Sequence, residues 1–216
     1  MDKLEQLESS WKGHRAFAEW LTQRLQPKIT VELGVDYGYS LCCLANKNPG
    51  RVIGIDLFEG DAHAGNREKT QAETVQQFVT DNQYTNIQLI KGDFNELVKY
   101  WVAPIDILHI DGLHTYEACL LDFVNWGPHV SPNGVVLMHD ITSYPDVTRV
   151  FLTVGAPAKV AFLHSAGLGI VCKDPALAEE ILARYPDAVT GEALAHDMDR
   201  LAEQAKLFQA NFSQTV

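Results

Sequence analysis

The sequence predicts an α/β protein: a doubly wound, Rossmann-like sheet of seven strands flanked by helices, with the last strand antiparallel. Three observations predict it. Short apolar runs at Ile29–Leu33, Arg51–Ile55, Ile87–Ile90, Ile105–Ile110 and Val135–Met138 alternate with helical patterns. Runs this short and this apolar suit parallel strands buried on both faces. The first run ends in a glycine turn, Gly34-Val-Asp-Tyr-Gly38, and the second ends in an acid, Asp56. Two later runs, Lys159–His164 and Leu168–Cys172, flank Ser165-Ala166-Gly167 and read as a hairpin.

At 216 residues the chain suits one domain. It divides into an N-terminal helical segment over 1–27, a core over 28–173 and C-terminal helices over 174–216. The net charge of -11 disfavours nucleic acid and anionic membranes as partners. Cys42, Cys43, Cys119 and Cys172 lack metal-ligand spacing and read as reduced, buried thiols. The opening MDKLEQLESS has neither the basic nor the apolar region of a signal peptide, and no run approaches a membrane span. A cytoplasmic protein is expected.

Leu4, Leu7, Trp11, His14, Ala18, Leu21 and Leu25 recur at helical spacing. The first segment is therefore expected to be one helix docked on the core and ended by Pro27, with a subunit contact or a lid as further uses. After Ile29–Leu33, the glycines let the backbone turn sharply and approach a ligand. The helix from about Tyr39 to Asn46 opens with free N–H groups. Asp56 follows the glycine turn by about 20 residues, the place where dinucleotide-binding folds put the acid that accepts from a ribose diol. The spacing Gly34-x-x-x-Gly38 is not G-x-G-x-x-G, which points toward a nucleoside without a pyrophosphate.

A polar helix is expected from about Arg67 to Asn82. Ile87–Ile90 then leads into Lys91-Gly92-Asp93-Phe94. A carboxylate and an aromatic ring there suit an adenine amino group and ring face. Asp93 is equally placed to cap the next helix.

The stretch from Ile105 to Ile141 organises the rest. It reads as strand, helix (Tyr116–Trp126), turn (Ser131-Pro132-Asn133-Gly134) and strand. A right-handed crossover puts both C-terminal ends on one sheet edge, where open α/β sheets bind ligands. Asp111, His114, His139 and Asp140 should converge there. Beyond it, Ile141–Gly155 reads as a loop with a short helix. From Ala193 to Phe212, Leu194, Met198, Leu201, Ala205, Phe208 and Phe212 form another stripe. That stripe would pack on the N-terminal one, within a subunit or between two.

Glu32-x-Gly34-x-x-x-Gly38-x-Ser40, Asp56, Gly92-Asp93 and Asp111 together resemble the motifs of class I S-adenosylmethionine-dependent methyltransferases. Ile110-Asp-Gly-x-His114-x-Tyr116-Glu117, Asp122, Trp126, Pro132-x-Gly134 and His139-Asp140 are similar to a narrower group. It comprises metal-dependent sugar O-methyltransferases of macrolide biosynthesis and methyltransferase domains of bacterial glycan-synthesis proteins. Phe58 stands where the glycan-associated domains tend to show Trp, and His139 where the sugar enzymes carry an acid. The resemblance implies S-adenosylmethionine as cofactor, bound by Glu32, Gly34, Gly38, Ser40, Asp56, Leu57, Asp93, Phe94 and Asp111. It implies His114 as general base, with Asp111 also in the catalytic set, and a sugar, glycan or other small-molecule hydroxyl as acceptor.

Asp111 and Asp140 end neighbouring strands, so their carboxylates suit a shared divalent ion, with Mg²⁺ or Mn²⁺ favoured by oxygen ligands. Adjacent strand residues point to opposite faces, so either His139 or Asp140 is placed to complete the site. The bland alternatives are His139 as a packed or capping residue, Asp140 as a turn cap and Asp111 as purely structural. His63 and His164 read as structural or exposed, and His109 as a hydrogen-bonded core residue. Two other functions compete. Two histidines and a carboxylate would form an iron-oxygenase triad. A cofactor-binding partner subunit without catalysis would use the terminal stripes.

Overall fold

The computed structural model describes residues 4–198 apart from 64, 67 and 69. The strands are β1 (Ile29–Leu33), β2 (Arg51–Asp56), β3 (Gly60–Asp61), β4 (Gly65–Asn66), β5 (Ile87–Lys91), β6 (Ile105–Ile110), β7 (Val130–His139), β8 (Ala158–Phe162), β9 (Leu168–Cys172) and β10 (Ala188–Thr190). The helices are α1 (Arg15–Leu25), α2 (Tyr39–Ala45), α3 (Gln71–Asp81), α4 (Phe94–Leu97), α5 (Tyr116–Trp126), α6 (Pro145–Thr153) and α7 (Pro175–Arg184). The main sheet has the order β10-β8-β9-β7-β6-β1-β2-β5, and β3 and β4 form a separate two-stranded ribbon.

The pairs among β1, β2, β5, β6 and β7 are parallel, and β9 is antiparallel to both β7 and β8. The seventh long strand is thus the reversed one, as the hairpin signal requires. β10 adds an eighth strand at the edge, antiparallel to β8. Its three residues, Ala188-Val189-Thr190, carry too little apolar pattern to mark a strand in a segment expected to be helical.

Each sheet face has its own apolar cluster. Ile107, Val135 and Leu137 face Phe17, Leu41 and Leu177, whereas Leu108, Val136 and Met138 face Cys119, Trp126 and Phe151. This is the period-2 alternation of a sheet covered on both sides. Each large side chain buried there contributes roughly 1.5–3 kcal/mol. The four cysteines are buried and free.

Three expectations need correction. The N-terminal stripe is not one helix: Leu4–Gln6 and Ser10–His14 are 3-10 turns, and α1 starts at Arg15. Ser9 accepts a hydrogen bond from Trp11 N at 3.1 Å and caps the second turn. Serine side chains compete with helix hydrogen bonds in this way. Ser131–Gly134 is not a free turn but an irregularity inside β7, where the register with β6 shifts between Ile105 and Ile107. Of the C-terminal stripe, Leu194 joins the cluster on the face opposite the one that holds Trp11. It does not pack on the N-terminal stripe. Leu201, Ala205, Phe208 and Phe212 lie outside the described residues.

The register positions the site. Ile110 pairs with Leu33 on one side and Met138 on the other. The next residues, Gly34, Asp111 and His139, therefore leave three neighbouring strands at one level.

Candidate active site

Gly34 sits at φ 88, and a Cβ on it would lie 2.1 Å from the Asp111 carbonyl oxygen. Both the left-handed backbone and the close approach exclude other residues there. Gly38, at φ 81, is the N-cap residue of α2. The carboxylate of Asp56 clasps this turn. Its Oδ2 accepts from Val35 N at 2.7 Å and Asp36 N at 3.1 Å, and its Oδ1 accepts from Phe58 N at 2.6 Å. An ionised carboxylate has about four acceptor sites, so room for one further donor remains.

Glu32 departs from the expected role. Its side chain is fully buried and lies behind the turn, accepting from Ser40 Oγ at 2.9 Å and from His109 Nδ1 at 3.1 Å. Trp11 Nε1 donates to His109 Nε2 at 3.3 Å, which places the imidazole proton on Nδ1. Burial raises the Glu32 carboxyl against these two bonds. Glu32 supports the turn from the core and does not line the cavity, whereas Ser40 does. The parity of β1 decides this, because Glu32 alternates with the residues on the Trp126 face. His109 is the core residue expected.

Asp93 caps α4, accepting from Asn95 N at 2.8 Å, and it also borders the cavity. Its two expected roles are compatible. Phe94 borders the cavity too, and Leu57 is 45 % exposed at its mouth.

Asp111, His114, His139 and Asp140 converge as the topology requires. His114 Nε2 lies 2.9 Å from Asp140 Oδ2 and 3.5 Å from Asp111 Oδ1, and His139 Nδ1 lies 3.3 Å from Asp111 Oδ1. Asp140 has φ 63. This left-handed residue at the strand end turns its side chain to the side His139 already faces, so both residues reach the site.

His139 Nε2 donates to the Ser165 carbonyl at 3.1 Å. A carbonyl only accepts, so the neutral ring carries its proton on Nε2 and aims a bare Nδ1 at two carboxylates. Lone pairs facing one another require a proton or a cation between them. Ligand atoms of Asp111, His139 and Asp140 all lie within 4.8 Å of one another. Two carboxylates and an imidazole oriented by a backbone carbonyl make a donor set that fits a divalent ion. The set has one imidazole and two carboxylates, the inverse of the oxygenase triad.

Without an ion, protons serve. Burial alone would raise the Asp111 carboxyl, but His139 and His114 outweigh it and hold the group well below the usual carboxylate range. Burial alone would lower His114, yet its bonds to Asp111 and Asp140 hold it up at about 9. His139 is likewise raised, against burial, mainly by Asp111.

A single cavity of about 540 Å³ joins the glycine turn to this cluster. Its size suits a small-molecule ligand. Several of its contributors carry no local sequence signal. His63 stacks near Tyr144 at 4.8 Å, and Tyr144 stacks on His114 at 4.4 Å and 5°. His63 is exposed, one of the two readings the sequence left open for it, and it borders the cavity beside Tyr144. Glu8, Ser9 and Ser10 of the N-terminal segment also line the cavity. His164 pairs with Asp187 at 3.2 Å outside the cavity.

A parallel sheet whose first strand ends in a glycine turn, beside an acid ending the second, defines the class I nucleoside-cofactor fold. The family model described as "Methyltransferase domain" matches residues 31–141. The chain belongs to that methyltransferase family, whose class I members use S-adenosylmethionine. A curated relative, the uncharacterized protein y4gI of Sinorhizobium fredii, is 36 % identical over 139 residues. That match takes in 61 % of this chain and 15 % of the relative, so the chain spans a minor part of that longer protein. Solved structures share the fold at low identity. The O-methyltransferase TomG of Streptomyces achromogenes, involved in tomaymycin synthesis and solved with SAM, has a TM-score of 0.59 at 16 % identity, over 80 % of this chain and 89 % of that one. SAH-bound PaMTH1 of Podospora anserina has 0.60 at 11 %, over 80 % and 82 %. The O-methyltransferase of Bacillus cereus, in complex with SAH, has 0.57 at 15 %, over 74 % and 80 %.

Proposed function

We propose that this chain transfers a methyl group from S-adenosylmethionine to a hydroxyl of a sugar or another small molecule, with a divalent cation, Mg²⁺ or Mn²⁺, held by Asp111, His139 and Asp140. The observation that carries this reading is Nδ1 of His139 aimed at two carboxylates, 3.3 Å from Asp111 Oδ1 and 3.6 Å from Asp140 Oδ2, beside His114 in the cavity that begins at Gly34. S-adenosylmethionine supplies an already activated sulfonium methyl. The cation supplies charge that lowers the pKa of the acceptor hydroxyl and fixes its orientation.

The remaining work falls to the protein. Gly34 and Gly38 let the backbone approach the cofactor closely. The remaining acceptor site of Asp56 takes a ribose hydroxyl, Leu57 and Phe94 cover the base, and Asp93 accepts from its amino group. Alignment of donor and acceptor is worth up to about 7–11 kcal/mol in the best intramolecular cases. With Asp111 and Asp140 turned to a cation, His114 would give up the proton they otherwise hold on it, and its Nε2 would then take the acceptor's proton. Tyr144 stacks flat on its ring and fixes the ring plane. The wall of His63 and Tyr144 offers aromatic faces to the acceptor.

The test is methyl transfer from S-adenosylmethionine to a panel of sugars and small alcohols, with Mg²⁺ or Mn²⁺ and after exhaustive chelation. Cation-dependent transfer supports the reading. Transfer that survives EDTA in dialysed protein overturns the metal role. Absence of S-adenosylhomocysteine binding by calorimetry overturns the cofactor role.

A further inference from the structure

One buried acid of the cavity has no part in the chemistry above. Asp122 lies on α5, under Gly112: a Cβ on Gly112 would come within 3.3 Å of Asp122 Oδ2 and 2.9 Å of Phe94 Cε2. The residue is 3 % exposed, yet it borders the cavity. Among the described residues it has no hydrogen-bond or ion-pair partner, and only burial and the charge of Asp93 act on it. Buried carboxyls are almost always paired. A buried, unpaired one that opens on a ligand cavity is built to meet a ligand.

The surroundings decide its protonation. Burial, with the negative charge of Asp93 added, pushes the Asp122 carboxyl up to about 7. Few other titratable or charged groups bear on it. Cys119, one turn earlier on α5, is a neutral thiol pushed up by burial to about 12. Asp111 lies across Gly112 at the end of β6, committed to its two histidines. From α6, Asp146 accepts from Tyr116 N at 3.2 Å and Arg149 lies over the Tyr116 ring at 4.3 Å. No cation pairs with Asp122, so the group keeps a proton up to neutrality and acts as a donor. Asp93 holds its helix cap with one oxygen and has acceptor capacity to spare.

The cavity thus offers an O–H donor and a carboxylate acceptor close together beside Phe94. Adenine presents the complementary pair, a ring nitrogen that accepts next to an amino group that donates. A 6-oxopurine puts an acceptor oxygen in place of the amino group, and at N1 a donor in place of the acceptor. We propose that Asp122, as a carboxylic acid, donates a hydrogen bond to a ring nitrogen of the cofactor's adenine while Asp93 accepts from the exocyclic amino group, so that the pair selects adenine over 6-oxopurines. This rests on the cofactor reading given above and adds a specificity-determining residue to it.

The test titrates S-adenosylhomocysteine calorimetrically into the full chain, wild type and with Asp122→Asn or Asp122→Leu, between pH 6 and 8.5. Wild-type affinity is expected to fall tenfold or more across that range as the donor proton is lost. Asp122→Asn keeps an N–H donor, so it should stay within threefold of wild type at pH 6 and lose the fall. Asp122→Leu should bind tenfold or more weakly at pH 6 and disfavour S-inosylhomocysteine less than wild type does. Because both variants remove an unpaired buried acid, their melting temperatures should equal or exceed that of wild type. A second arm needs no variant: of the 1-, 3- and 7-deaza analogues, one should cost wild type tenfold and bind without the pH-dependent fall. Variants that match wild type in affinity and pH profile, or three deaza analogues that bind as the parent does, overturn the inference alone. Wild type that binds no S-adenosylhomocysteine overturns the cofactor reading and this inference with it.

Discussion

The two ends of the cavity are held by different kinds of interaction. At the glycine turn, the polar side chain is tied to backbone. Asp56 accepts from Val35, Asp36 and Phe58 N–H groups, and Gly34 presses against the Asp111 carbonyl. At the other end, side chains are tied to side chains of the opposite charge: Asp111 to His114 and His139, and Asp140 to His114. Backbone-held groups stay fixed whatever protons or ions are bound. Charge-held groups respond to both. A rigid binding end and a chargeable reactive end suit a reaction whose donor arrives activated and whose acceptor must lose a proton.

The sharpest way to break this comparison is His114→Ala. Turnover should fall by roughly 10²–10⁴, while calorimetric affinity for S-adenosylhomocysteine stays unchanged. A parallel loss of affinity would show the two ends to be one coupled unit. Next is Gly34→Ala, where the ends touch. A Cβ there meets the Asp111 carbonyl in a left-handed backbone, so chemical denaturation should show a loss on the order of 2–5 kcal/mol. Wild-type stability would mean that the contact relaxes freely.

Asp56→Asn should weaken S-adenosylhomocysteine about tenfold, near 1.4 kcal/mol for one charged hydrogen bond. Its methyl-transfer rate at saturating cofactor should be preserved. A lost rate with kept affinity would move Asp56 to the reactive end.

The last test concerns pH. His114 is raised in the folded chain to about 9, from an ordinary 6.5. The unfolded chain therefore loses that proton first. The stabilisation is full below 6.5 and fades as pH rises toward 9. In chelated protein, the stability gap between wild type and His114→Asn should narrow across that window. A gap that widens would reverse the charge assignment at this end.

Much of the site was legible in the sequence. The two apolar runs ending in Asp111 and His139-Asp140 fixed their neighbourhood through strand adjacency and crossover handedness. Gly34 and Asp56 were legible because backbone turns and strand ends impose residue types. Glu32 was misplaced because a motif position does not reveal which face its strand presents. Tyr144 had no signal, and Asp122 stood in the resemblance motif without a role, since each enters from a different element and no local period marks its place in the cavity. The choice between His139 and Asp140 was open at the level of alternation. The φ of 63 at Asp140 resolved it by bringing both residues in.

The sequence by itself determined the doubly wound sheet, its strand succession and the rim where the acids and histidines gather. These follow from apolar periodicity, turn chemistry and chain handedness, which are local or topological. Only the tertiary structure decided that the N-terminal segment breaks at Ser9 and walls the cavity, that Glu32 faces inward to Ser40 and His109, and that Asp122 is left unpaired under Gly112. Those outcomes depend on contacts between residues far apart in the chain, and packing geometry alone sets them.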